Sequence, residues 1–299
     1  LRGELLAMPR HNDKQRVLDH YNRASPYYRA LWGEHLHHGY WITGDESKET
    51  AQLQLVEHLA EAADIQPYAK ILDIGCGFGA SSIYLARKYH AQSVGINISQ
   101  PQVEMANQAA AQASVSASFF CMDAEALDTQ ANAFSQPFDL LWSIESISHY
   151  QSVPSFFASA AKLLKPGGTF ALTDWFKQRP LAPREHKKFL RPIEQSMFVE
   201  LHTMQDYQNY LATAGLQVTR ANTLNQHTAK TWDCGLDIIK DKALWQLAAT
   251  HGPDFVRFLR GFQAMRAGFS SGHFVYGLIS ARKPRIAAGS TLFTISRDD

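Results

Sequence analysis

The chain has 299 residues, with 29 Lys and Arg against 28 Asp and Glu and a formal charge of +1. That balance leaves no electrostatic footprint for nucleic acid or an acidic membrane surface, and no run approaches the roughly 18 apolar residues of an integral membrane segment. The length supports one large domain, or a domain with an elaborate cap.

In chain order, Ser47 with Thr50 opens a helix whose positions Leu53, Val56, Leu59 and Ala63 share one face. Ile71, Leu72 and Ile74 read as a buried parallel strand. Gly75, Gly77 and Gly79 then turn it into the helical pattern that starts at Ser81. A strand follows at 93–96, a helix at 101–113, a strand at 118–121 and a strand at 138–143. A helix at 153–164 is stopped by Lys165-Pro166-Gly167-Gly168, which turns into a strand at 169–174. The alternation lapses at 176–200 into a charged helical stretch, read as an insertion over the sheet edge. Thr203 with Asp206 caps a helix ending at Gly215. Helices near 236–249 and 254–267 lead to a last strand at 274–280. Residues 285–299 match no pattern and read as a disordered or added tail. Strands alternating with helices imply an α/β fold with a doubly wound, mostly parallel sheet.

Ligands of open α/β sheets bind beyond the carboxyl ends of the strands, where the strand order reverses. Four strand ends therefore converge on one crevice. They are Asp73 with Gly75 and Gly77, Asn97-Ile98-Ser99, Met122-Asp123-Ala124, and Ser143-Ile144-Glu145. A glycine turn alone fits any strand–helix corner. Here Asp73 precedes it, which suits a ligand bearing an amine or sulfonium better than a pyrophosphate, and the last G-x-x-G of a dinucleotide fingerprint is missing. Asn97, with Gln102 a helical turn on, stands where many such enzymes hold a ribose with an acid; amides also bond a diol. Asp123 suits an exocyclic amine as hydrogen-bond acceptor, although alone it also reads as a helix N-cap.

The turn looks like the cofactor loop of an S-adenosylmethionine (SAM) methyltransferase. Val94-Gly95-Ile96-Asn97-Ile98-Ser99, the run Phe138 to Ser146 and Lys165-Pro166-Gly167-Gly168 resemble the γ-tocopherol methyltransferase group. That group belongs to a wider set with sterol C-methyltransferases, cyclopropane fatty-acid synthases and N-methyltransferases of glycine derivatives and plant alkaloids. The upstream segment His20-Tyr21-Asn22 through Leu31-Trp32-Gly33-Glu34-His35-Leu36-His37-His38-Gly39-Tyr40-Trp41 carries a more specific resemblance, as does Phe269-Ser270-Ser271-Gly272 running to Tyr276-Gly277. The resemblance implies a Rossmann-like sheet of the class I methyltransferase type, SAM as cofactor and a small-molecule acceptor. It also implies an N-terminal helical lid over residues 1–64, a SAM-binding core at 65–175 and an acceptor-binding cap with the final strands at 176–284. Tyr21 and Gly39 would fold over the methionine end of SAM. Asp73, Gly75, Gly77, Asn97, Ile98, Gln102, Asp123, Ala124 and Ser143 would complete its contacts.

One departure bears on catalysis. The tocopherol and cyclopropane branches carry a Glu-His pair after the fourth strand, and here the pair is Ser148-His149. His149 is the first candidate base, or else a buried histidine that satisfies a backbone carbonyl; Glu145 is a substitute acid one helical turn away, or else a structural cap; Tyr21 is the third catalytic candidate. Transfer itself is an in-line displacement that needs chiefly alignment and exclusion of water. A base is required only if the acceptor must lose a proton. His35, His37 and His38 crowd four positions, but no fourth ligand follows with metal spacing, so no metal is expected. Trp32, Tyr40 and Trp41 offer aromatic faces to a sulfonium or serve as plain core.

Thirteen histidines and 11% aromatic residues suit an apolar or aromatic acceptor. The expected reaction is methyl transfer to carbon or nitrogen of such a metabolite in specialised, isoprenoid or quinol-type metabolism. Phenol O-methylation is the alternative, and a nicotinamide oxidoreductase or a non-catalytic SAM-binding protein are the readings of other classes. Cys76, Cys121 and Cys234 have no metal spacing, and their odd number argues against a disulfide framework. With no signal-peptide profile at Leu1-Arg2-Gly3-Glu4, a cytoplasmic location is expected, and the oligomeric state is left open.

Overall fold

The structure is a computed structural model that describes residues 12–130, 134 and 136–285; the tail read at 285–299 lies outside it apart from Arg285. Seven strands form one sheet: β1 Lys70–Ile74, β2 Gln92–Asn97, β3 Ala117–Cys121, β4 Phe138–Ile144, β5 Leu164–Lys177, β6 Gln217–Thr223 and β7 Phe274–Arg282. Their order is β3-β2-β1-β4-β5-β7-β6. The first five are parallel, and β7 runs antiparallel between β5 and β6. The chain lays β2 and β3 on one side of β1 and returns with β4 on the other. The strand order therefore reverses between β1 and β4, and the crevice opens there.

Pleating sends alternate residues to opposite faces. Ile71 and Trp142 join the core that includes Leu55, Val56 and Leu59 of the helix Lys48–Ala63, together with the C-terminal helices. Leu72, Ile74 and Leu141 face the other core, with Phe156, Phe157 and Tyr207. Each such side chain taken wholly out of water contributes about 1.5–3 kcal/mol. The helix Lys48–Ala63 starts where Ser47 Oγ accepts from the Thr50 amide at 3.1 Å. It stops at Asp64, whose backbone is left-handed.

The structure amends the chain-order reading in four places. An 18-residue helix, Lys14–Leu31, stands over the crevice. The stretch 184–200 folds as helices Pro183–Phe189 and Arg191–Met197, packed on the helix Pro253–Ser270. The expected helix at 236–249 divides into Lys230–Ile238 and Lys242–His251. Finally, β6 was not foreseen. Its sequence Gln-Val-Thr-Arg-Ala-Asn-Thr is polar and mostly exposed, as an edge strand is, whereas β7 is buried along eight of its nine residues and takes the interior place.

Candidate active site

Two adjoining chambers occupy the crevice. The first encloses about 1030 Å³ of open space, part of it continuous with solvent, and lies at the β1/β4 reversal. Asp73, Gly75, Gly77, Asn97, Ile98, Gln102, Asp123 and Ala124 line it, with Tyr21, Glu145 and His149. Gly75 has φ +77 and lies so close to Ser146 that a Cβ would stand 2.1 Å from its Oγ; only glycine fits. Gly77, also at positive φ (+54), keeps the next turn open toward Leu36. Asp73 is 3% exposed and accepts from Ser82 Oγ at 2.7 Å. Burial pushes its carboxyl up to about 7, with the Ser82 hydrogen bond opposing.

The helix Lys14–Leu31 is tied by side chains to two of the strand ends, those of β2 and β3. Lys14 Nζ lies 2.6 Å from Asp123 Oδ2, Ser99 Oγ donates to Asn22 at 2.8 Å, and Gln102 Nε2 donates to Ser25 Oγ at 2.8 Å. Asn97 Nδ2 in turn donates to Gln102 Oε1 at 2.6 Å. Asp123 also receives the Glu125 amide at 2.9 Å, which is the helix-cap geometry left open by the sequence.

The second chamber encloses about 660 Å³ of open space, again partly continuous with solvent, and is largely aromatic. Residues from 20 to 38 form one side, and Trp175, Met197, Trp232, Phe258, Phe262 and Met265 form the other. Tyr21, Leu36, His37, Glu145 and His149 border both chambers and make their common wall.

Two polar groups dominate that wall. His149 Nδ1 lies 3.0 Å from the Phe198 carbonyl oxygen. A carbonyl only accepts, so Nδ1 carries the hydrogen, and Nε2 presents its lone pair to the Tyr21 hydroxyl at 3.0 Å. Desolvation holds the His149 pKa below the ordinary histidine value, with the Phe198 carbonyl and Glu145 opposing, so the ring is neutral near pH 7. Burial keeps the Tyr21 phenol protonated.

Glu145 is in the left-handed region at φ +52, an uncommon and strained place for a non-glycine residue. There its carboxylate accepts from the His38 amide (2.7 Å), His38 Nδ1 (2.9 Å), Trp175 Nε1 (3.0 Å) and the Tyr276 hydroxyl (2.7 Å). Burial alone would raise this carboxyl, but the donors of His38 outweigh it and leave the pKa below the usual value. Ser148 lines neither chamber, and its amide donates to Asp174 at 2.9 Å. The acid on the wall is Glu145, three residues before the position where the related branches keep theirs.

Some sequence-selected residues fall elsewhere. Gly39 is absent from both chamber walls: its amide donates to Thr231 Oγ1 at 3.2 Å, and Trp41 and Ala51 crowd the place of a Cβ. Ser143 is wholly buried and absent as well, because strand alternation turns Trp142 and Ile144, not Ser143, to the first chamber. Tyr40 stacks on His58 and His227, and Trp41 Nε1 donates to the Glu46 carbonyl, so neither presents a face to a ligand in these chambers. His35 Nδ1 donates to His37 Nε2 at 3.0 Å, and His37 Nδ1 donates to the His38 carbonyl at 2.8 Å. Burial pushes His35 down to about 3. Among the described residues no group of three or more His, Cys, Asp or Glu side chains is arranged to hold a metal ion. The chamber also uses aromatic residues that carry no local signal of a site: Phe258 and Phe262, four residues apart on one helix, read first as core, Trp175 lies within a strand, and Trp232 lies on another helix.

The sheet order, the glycine turn at the reversal and the buried acid beside it are those of a class I SAM-dependent methyltransferase. The mycolic acid cyclopropane synthetase family model matches residues 9–269, and the chain belongs to that family. It is 32% identical over 258 residues to the 27-O-demethylrifamycin SV methyltransferase of Amycolatopsis mediterranei, covering 85% of this chain and 92% of that protein. It is 26% identical over 292 residues to the chloroplastic tocopherol O-methyltransferase of Arabidopsis thaliana, covering 90% and 82% respectively. A mycolic acid cyclopropane synthase solved with SAH and CTAB superimposes with a TM-score of 0.79 at 22% identity, covering 90% of this chain and 98% of that one. The cyclase SpnF does so with 0.78 at 22% identity, covering 93% and 98%. The protein is a SAM-dependent methyltransferase. Among the described residues no helix is long and apolar enough to cross a membrane.

Proposed function

We propose that the protein methylates a hydroxyl oxygen of a small, largely apolar ring compound held in the second chamber, with SAM in the first. The residues of the first chamber fit SAM on two counts. A buried carboxyl, Asp73, stands in the chamber's wall, and beside that acid is a turn in which a side chain at Gly75 would strike Ser146. When bound, SAM supplies an already activated sulfonium methyl. Asp73 would meet the amino end, Asn97 and Gln102 the ribose, and Asp123 the adenine. Residues 65–175 carry these contacts, and residues 12–64 and 176–284 close the site and hold the acceptor.

The observation that carries the oxygen reading is the His149 tautomer. Its Nε2 lone pair sits on the wall common to both chambers. An incoming hydroxyl would take the place of Tyr21 at Nε2 and give up its proton there, while SAM, when bound, would supply the methyl and leave as S-adenosylhomocysteine. A neutral imidazole suits a hydroxyl acceptor well, whereas a neutral amine needs little help from a base. The names of both relatives above, a 27-O-demethylrifamycin SV methyltransferase and a tocopherol O-methyltransferase, support the same preference over carbon or nitrogen.

The test is incubation with methyl-labelled SAM and a metabolite extract, followed by mass spectrometry for products heavier by CH2 and carbon–proton NMR of the labelled methyl. An oxygen-bound methyl is expected. A label found only on carbon or nitrogen overturns the reading.

A further inference from the structure

The second chamber has a largely apolar wall, yet three of its side chains hold a nitrogen without a hydrogen-bond partner: Trp32 Nε1, Trp232 Nε1 and His38 Nε2. Their residues are only 8%, 2% and 2% exposed. Folded proteins leave few buried polar groups unpaired, and each such group costs about 1–3 kcal/mol. Among the described residues seven buried side-chain atoms are orphaned in this way, and three of them belong to side chains that line this one chamber. The chamber's other polar groups are paired. His20 Nε2 lies 2.9 Å from the Tyr28 hydroxyl, Thr231 accepts from the Gly39 amide, and Tyr21 meets His149.

The three nitrogens differ in what they can take. An indole N–H only donates. His38 Nδ1 faces the Glu145 carboxylate, which already accepts from three further donors, so Nδ1 carries the hydrogen. Nε2 is the ring nitrogen left without a partner, and a hydroxyl can satisfy it either by donating to its lone pair or by accepting its N–H. The ring is held firmly for that task, stacked on Tyr276 at 4.3 Å and met edge-on by Trp232 at 4.5 Å.

Resting on the reading of this chamber as the acceptor's, we infer that the acceptor is an oxygenated ring compound. It bears a carbonyl or ether oxygen that takes the indole N–H of Trp32 or Trp232, and a hydroxyl that pairs with His38 Nε2, besides the oxygen that is methylated. A plain alkyl chain would leave all three nitrogens orphaned.

The experiment is calorimetric titration of the protein saturated with S-adenosylhomocysteine, using two pairs of ring probes that differ by one oxygen and an alkyl control. Hydroxytetralone should bind about 5- to 100-fold tighter than tetrahydronaphthol, the range expected for filling one buried partner. Trp232→Phe with Trp32→Phe should erase that advantage, so that the two probes bind this variant alike. One or more dihydroxynaphthalene isomers should out-bind naphthol by a similar factor. His38→Asn, which keeps a donor toward Glu145 and removes Nε2, should abolish that preference. Retained S-adenosylhomocysteine affinity reports the fold of each variant, and the tryptophan pair carries the test independently of His38. Equal binding of hydroxytetralone and tetrahydronaphthol, and of the diols and naphthol, by the wild type would overturn the inference while the ring-acceptor reading stands. Dodecanol binding more tightly than every ring probe overturns both.

Discussion

The first chamber takes most of its wall from residues 73–150, where successive parallel strands end side by side, whereas the second joins residues 20–38 to residues 175–265. The sheet therefore fixes the first through short, local connections: a turn at Gly75, a cap at Asp123, an amide pair at Asn97 and Gln102. Helices packing across the length of the chain fix the second, and its character is aromatic with a few unpaired nitrogens. A generic reagent asks for a repeatable backbone cradle; a particular acceptor asks for side chains that can change without disturbing the sheet. The shared wall of Tyr21, Glu145 and His149 is where the two requirements meet.

Gly75→Val is the harshest way to break that comparison. The φ of +77 and the 2.1 Å approach to Ser146 admit no side chain, so SAM binding measured by calorimetry should be lost, at a backbone strain of about 1–3 kcal/mol. Asp73→Ala should also abolish binding, by removing the only acid that β1 brings to the turn. Near-wild-type SAM affinity in both variants would show that the first chamber is not the cofactor's.

His149→Ala sharpens it, since the residue touches both chambers. Methyl transfer should slow about 10²–10⁴-fold with SAM affinity nearly intact, as for a positioned base. In the wild type the acid limb of kcat/KM should lie below the ordinary histidine value, because desolvation lowers this pKa and only the neutral ring accepts a proton. Full activity in His149→Ala would leave alignment alone as the source of catalysis.

The mildest test is titration of the first chamber itself. Asp73 is pushed up to about 7 by burial, so it is charged above that pH and neutral below it. A charged carboxylate attracts the ammonium of SAM, so affinity should be greatest above pH 7. It should fall toward tenfold per pH unit on the acid side. Calorimetry from about pH 5.5 to 8.5 should show this slope in the wild type and a flat response in Asp73→Asn. A wild-type affinity independent of pH would remove Asp73 from the ammonium site.

How much was legible in the sequence follows from the same division. The run from Lys70 to Ala80 displays strand, acid and glycine turn in consecutive residues, because period and turn chemistry are local properties; β1 and the helix Ala80–Tyr89 stand where that run puts them. The parallel order of β1 to β5 followed from alternation with helices. The strand β6 did not, since an exposed edge strand of polar residues has no apolar run to betray it. Nor did the placement of Gly39 and Ser143, which depends on how a loop packs against Thr231 and on which way one strand is pleated.

By itself, then, the sequence determined the α/β sheet, the crevice at its reversal and the chemistry of the residues ending its strands, because each is written within some ten neighbouring positions. Only the tertiary structure decided that Phe198 fixes the His149 tautomer from 49 residues away. It also decided that Glu145 gathers donors from His38, Trp175 and Tyr276. It further decided that residues 20–38 face Trp232 and Phe262 across the second chamber. Hydrogen-bond partners and cavity walls are set by packing between segments far apart in the chain, and no local pattern records which distant side chain arrives.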